Sequence, residues 1–326
     1  MKMLLSLFLT IITLNAFTQV FTDLYGDYLG QTPPCDTPVV FAPGIVSTKN
    51  LEHSAAIFSS DGKETYWVSG ENLNSNNYIQ RLWYMQRINN RWTKPEKIQL
   101  TPDSIGISGI FLSADNNTLY FSAKTNNVGN DGVNPNNWMQ YYNYDIWQVN
   151  RKEQGWSTPV NISPTINTRY LQSTPSLTNT NTIYFLSYLD GVKSGCGIFK
   201  SELKKGAYTK PIALPACINS VEAQDWTPFI APDDSYIVFS SYREGQTGSG
   251  DLYISFHNIE NDTWSEAINM GIPINTRRQE RFPYVTSDGK YLFFTRSRKG
   301  YSQDIWWVKA DIIEKLKTNA INCNHE

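Results

Sequence analysis

One pattern recurs five times along the 326-residue chain and limits its possible folds more than any other feature. Each copy is a short strand, a turn at or near Asp or Asn, and a second strand rich in apolar and aromatic residues. The copies occupy residues 57–67, 111–121, 175–185, 228–239 and 283–294. Their turn residues Asp61, Asp115, Asn179, Asp233 and Asp288 are separated by 54, 64, 54 and 55 positions. A third strand follows each hairpin, as in Asp145-Ile146-Trp147, Asp251-Leu252-Tyr253 and Asp304-Ile305-Trp306. After the first four copies comes an aromatic-polar turn (Trp92, Trp156, Tyr208, Trp264) and a fourth strand. Four antiparallel strands per unit, repeated in series, is the make-up of a propeller blade.

The fifth copy lacks its fourth strand, because the chain turns helical after Trp306-Trp307-Val308. A substitute lies near the start: Thr37-Pro38-Val39-Val40 aligns with Thr158-Pro159-Val160-Asn161 of the second copy. The expected fold is therefore all-β. It is a five-bladed propeller over residues 37–308, closed by the N-terminal strand pairing into the last blade, which leaves no open sheet edge. Residues 20–36 form a lead-in and 309–326 a helical tail.

Lys2 followed by the apolar run 3–14 is the pattern of a secretory signal, expected over residues 1–19 and too short to span a bilayer. No cysteine follows the run closely, so a lipid anchor is not expected, and the mature protein is read as periplasmic or secreted without a membrane span. Export makes disulfides possible. The four cysteines allow three pairings, of which ring closure favours Cys35–Cys323 together with Cys196–Cys217; four free thiols are the alternative. With 28 basic and 30 acidic side chains, no basic field points to nucleic acid.

The phrase Gly271-Ile272-Pro273-Ile274-Asn275-Thr276, then Glu280, Pro283 and Ser287-Asp288-Gly289-Lys290-Tyr291-Leu292-Phe293-Phe294, with Asp304-Ile305-Trp306 after it, resembles the WD-like propeller repeats of the TolB type. The resemblance covers about residues 37–308 and implies an exported propeller. It says little about activity, since such repeats serve scaffolds, receptors and a few enzymes.

Aligned on Pro175, Pro228 and Pro283, the inner-strand position three residues earlier is Gln172, Asp225 and Glu280, with His53 and Ile107 as its equivalents in the first two copies and Glu52, Gln224 and Arg281 beside it. On a ring at the channel mouth, Asp225 and Glu280 with His53 are candidates for acid–base catalysis or for hydrogen bonds to a sugar. The competing reading makes this position a structural link between blades, since it belongs to the repeat itself. Trp138, Tyr141 and Tyr142, set among amides in the second-blade insertion, suit the apolar faces and hydroxyls of a sugar ring, or else pack their own loop. Arg243, Arg296 and Arg298 in the loops of blades four and five are candidates for an anionic glycan or a peptide carboxylate, or are simply solvated. Three histidines, none at ligand spacing, argue against a metal site, and no nucleotide or hydrolase signature points to a cofactor. The expectation is a monomeric envelope or secreted propeller that binds a glycan or protein on its loop face. A carbohydrate-active hydrolase or lyase built on Asp225 and Glu280 is the alternative.

Overall fold

A computed structural model describes residues 23–74, 77–124, 144–168, 170–188, 195–245, 247–298 and 302–320. The residues expected to form the signal, the second-blade insertion with Trp138, Tyr141 and Tyr142, and Cys323 lie outside the described residues. Five antiparallel sheets of four main strands each stand as blades around an axis, a five-bladed β-propeller. Blade 1 is built on Ile57–Phe58, Glu64–Asn74, Asn77–Ile88 and Glu96–Ile98. Blade 2 runs Ile107–Leu112, Thr118–Lys124, Tyr144–Asn150 and Val160–Asn161, and blade 3 Gln172–Leu177, Ile183–Ser187, Gly197–Ser201 and Ile212–Ala213. Blade 4 comprises Asp225–Ile230, Tyr236–Ser241, Asp251–Asn258 and Ile268–Asn269. Blade 5 has three strands from the C-terminal part, Glu280–Val285, Tyr291–Ser297 and Gln303–Lys309; its fourth is Val39–Val40, paired with Trp307 and Trp306. The closure expected from the repeat is thus the one observed.

Strands such as Gln172–Leu177 and Ile183–Ser187 are buried along their whole length, because each blade has a neighbour on both faces, and aromatic side chains fill the space between blades. Trp67, Tyr184, Phe239, Phe293 and Trp307 are almost wholly buried. In the inner strands of blades 2 to 5 the pairing slips at the same place, and the residue there has a left-handed backbone: Gly109, Thr174, Thr227 and Phe282, at φ between 47° and 52°. A Cβ on Gly109 would lie 2.8 Å from the Thr174 Cα, so this blade contact requires glycine. Around these bulges the axis narrows to a cavity of about 30 Å³, room for a water molecule or two.

The lead-in is part of the closure. Residues 24–26 pair with the Arg91–Trp92 hairpin of blade 1, and Trp92 Nε1 donates to the Gly26 carbonyl at 2.7 Å. Two residues on, Tyr28 packs edge-on to Phe58 of blade 1 and to Tyr291 of blade 5, and Leu29 is fully buried. The chain then reaches blade 5, where Lys309 N–H donates to the Cys35 carbonyl. No helix among the described residues is long and apolar enough to cross a membrane.

Candidate functional site

The connections from one blade to the next decide which inner-strand side chains reach the axis. A phrase recurs at four of them: Val46-Ser47-Thr48, Ile166-Asn167-Thr168, Ile218-Asn219-Ser220 and Ile274-Asn275-Thr276. Each asparagine binds both backbone groups of one residue on its own blade's third strand: Asn167 with Ile146, Asn219 with Ile198, Asn275 with Leu252. Ser47 does the same with Ile305 through a single hydroxyl. The Thr or Ser that follows holds a side chain of the next blade. Thr168 meets Gln172, the Ser220 N–H donates to Asp225 at 2.7 Å, and the Thr276 hydroxyl donates to Glu280 at 2.7 Å.

In blade 1 the residue so held is Glu52: Thr48 donates to its Oε1 from both backbone and hydroxyl, each at 3.1 Å. The ring of linkers is therefore Glu52, Ile107, Gln172, Asp225 and Glu280, and His53 belongs to the next ring. Their strand partners confirm the register: Glu52 pairs with Ser69, Gln172 with Ser187, Asp225 with Ser241 and Glu280 with Arg296. Counting from the hairpin turn misassigns blade 1 because its inner strand carries one residue more between linker and turn. Glu52, Gln172, Asp225 and Glu280 are all fully buried.

Two of the acids are matched by cations. Arg296 Nε donates to Glu280 at 2.8 Å while its outer nitrogen caps the carbonyls of Pro273 and Ile274. Arg243 reaches Asp225 at 3.3 Å and the carbonyls of Cys217 and Ile218. Both guanidiniums are thus engaged in linking blades rather than free for a ligand. Burial raises the Asp225 carboxyl to about 6 against the pull of Arg243, and burial likewise raises Glu280 against the bonds from Thr276 and Arg296. Arg298 spans to blade 1, donating to the Thr48 and Asn50 carbonyls, with Asp304 at 3.2 Å.

Strand alternation turns the next residues, His53, Ser108, Ser173, Trp226 and Arg281, to the other side. There His53, Trp226 and Arg281 meet across blades. The Arg281 guanidinium lies 5.3 Å over the Trp226 ring and 5.4 Å over Phe282, and the His53 ring is 6.4 Å from Phe282. Trp226 is flanked edge-on by Tyr188 of blade 3 and by Tyr242, whose hydroxyl accepts from Gln279. His53 contacts the Gln80 amide at 3.4 Å, and burial beside Arg281 lowers it to about 4, so it is neutral near pH 7. The result is an aromatic basin with one cation at the mouth of the axis. Gln224 lies at its edge, its carbonyl accepting from Tyr242 N–H.

Reading by residue type found His53, Arg281 and Gln224 but passed over Trp226, Tyr188 and Tyr242. The signal for Trp226 was its place directly after Asp225. The disulfide expected between Cys196 and Cys217 is not formed: both are buried, but Cys196 packs with Leu171 and Leu186 and Cys217 in the separate cluster around Ile218 and Phe239, and burial pushes the Cys196 thiol up to about 12. Among the described residues no group of three or more His, Cys, Asp or Glu is placed to share a metal ion.

No family model matches the chain, and no curated protein matches it. Among solved structures it is similar to an endo-arabinase from Bacteroides thetaiotaomicron VPI-5482, with 12% identity, 86% of this chain and 97% of that one covered, and a TM-score of 0.51. It is also similar to an alpha-L-arabinofuranosidase from Lactobacillus brevis (14% identity, 80% and 92% covered, TM-score 0.49). A protein provisionally called TolB from Agrobacterium tumefaciens is 14% identical, with 81% and 79% covered and a TM-score of 0.49. At such identities the likeness is one of fold, and it is a propeller fold.

Proposed function

We propose that this protein is an exported binding propeller that holds a glycan or a protein on its loop face, in the axial basin around Trp226. One observation carries the reading. The acids that repeat around the ring are engaged in blade linkage, while the residues next to them on the inner strands offer aromatic rings and a guanidinium. Among the described residues, the five axis-facing positions include no carboxylate, which favours holding a ligand over hydrolysing it. Flat rings flanked by the amides of Gln80 and Gln279 suit a surface of alternating C–H and hydroxyl groups. Export rests on the charged and apolar pattern of residues 2–14.

Native mass spectrometry of the mature chain with a panel of envelope and plant oligosaccharides tests this. An intact adduct, weakened about tenfold (~1.4 kcal/mol) by Trp226→Ala, is the expected outcome. Shortened or unsaturated sugars that vanish in Asp225→Asn or Glu280→Gln would make the protein an enzyme instead. A folded sample that takes no sugar but retains an envelope protein would assign the basin to a protein partner.

A further inference from the structure

A second concavity opens on the loop face, outboard of the basin at the rim of blade 5. Arg277, Arg278, Arg296, Arg298, Ser297 and Trp306 border about 370 Å³. Two of these arginines serve the fold: Arg296 holds Glu280, and Arg298 holds Asp304 and the blade 1 loop. The Arg296 guanidinium also lies 4.4 Å over the Trp306 ring, so the wall combines an indole and a guanidinium.

Arg277 and Arg278 are different. Both are exposed, on the turn between the last strand of blade 4 and the first of blade 5. Arg278 gives one N–H to the Ser297 carbonyl at 3.0 Å, and no described residue pairs with the Arg277 guanidinium. Four guanidiniums thus stand against two carboxylates, Glu280 and Asp304, which leaves two positive charges uncompensated in a chain of formal charge −2. The turn that carries them is held rigid. The Thr276 hydroxyl accepts from the Arg278 N–H at 3.2 Å, and Ser249 N–H donates to the Arg278 carbonyl. Gly248 packs so closely that an added Cβ would sit 2.1 Å from that same oxygen. A fixed backbone reduces the ordering cost of presenting two arginines side by side.

We propose that this pocket binds an oxyanion, a phosphate, sulfate or carboxylate group borne by a larger ligand, through the forked N–H donors of Arg277 and Arg278. Guanidinium forks match the paired oxygens of such groups, and the pocket is wide enough to admit the ring that carries one. The site stands apart from the axial basin, so either can fail without the other.

Isothermal titration at low ionic strength, with inorganic phosphate, inorganic sulfate and acetate as separate titrants, tests it. Saturable binding of at least one anion at one site per chain is expected. Arg277→Gln/Arg278→Gln is expected to weaken it at least tenfold at an unchanged melting temperature. Arg277→Gln alone breaks no contact of the fold and is expected to weaken it several-fold. Lys204→Gln/Lys205→Gln, on the opposite face, is expected to leave it unchanged. Phosphate or sulfate binding without acetate assigns an ester of those acids; equal binding of acetate assigns a carboxylate. No saturable binding of any titrant, or equal losses in the arginine and lysine variants, would overturn the proposal.

Discussion

Burial without a neighbouring cation separates Glu52 from the other linking acids. Asp225 has Arg243 and Glu280 has Arg296, whereas the Glu52 Oε2 is buried with no hydrogen-bond partner, near an equally unpartnered Ser69 hydroxyl on the paired strand. Desolvation raises its carboxyl to about 8 in spite of the donors from Thr48. An acid whose folded pKa exceeds its unfolded one stabilises the fold fully below the ordinary glutamate range. That contribution is lost as pH rises through about 8. Glu52→Gln is therefore expected to be near neutral at pH 5 and stabilising at pH 9, on the order of 2 kcal/mol, in urea unfolding compared at the two values. Equal effects at both would show that Glu52 does not titrate across this range. The recurrent Asn-Thr phrase with its acid was visible in the sequence. Which acid filled the blade 1 position was not, because one extra residue shifts the side-chain alternation and only backbone pairing reveals it.

Between blades, one strand position carries much of the contact: Tyr66, Tyr120, Tyr184, Val238 and Phe293. The first three each meet the aromatic of the next blade's outer hairpin. Tyr66 lies 6.2 Å from Trp156, Tyr120 hydrogen-bonds to Tyr208, and Tyr184 lies 6.4 Å from Trp264. Blade 5 has no such hairpin, and the helix Ile312–Lys317 takes its place, with Ile313 buried in the cluster around Val238. The smaller Val238 matches an aliphatic rather than an aromatic cover. Ile313→Ala is expected to cost about 2–4 kcal/mol, read as a lower urea midpoint at unchanged slope. A loss under ~0.5 kcal/mol would make the helix an appendage. The blade hairpins and their aromatics were legible from the 54-to-64-residue spacing. This role of the tail was not, since nothing local in residues 309–320 encodes the surface it covers.

For the molecule as a whole, stability depends on joining blade 5 to blade 1. The sequence exposed the closing strand, because it copies a fourth strand from elsewhere in the chain. The lead-in before it copies nothing, and its clasp on both blades emerged only in three dimensions. Leu29, fully buried between them, is the measure of that clasp. Leu29→Ala is expected to cost about 2–5 kcal/mol in the same global transition as core substitutions. A separate early transition would mean that the lead-in melts independently of the ring.

The pairing of Val40 with Trp306 also orders events in time. A ribosome releases the first of these residues 266 positions before the second, roughly 15–50 s at ordinary rates of elongation. Throughout that interval the first blade has no blade 5 beside it, and residues 24–40 have only half of their binding surface. Circularity in space is thus a delay in synthesis: the chain stays an open arc until its last blade emerges, and its earliest described segment is among the last to find its place.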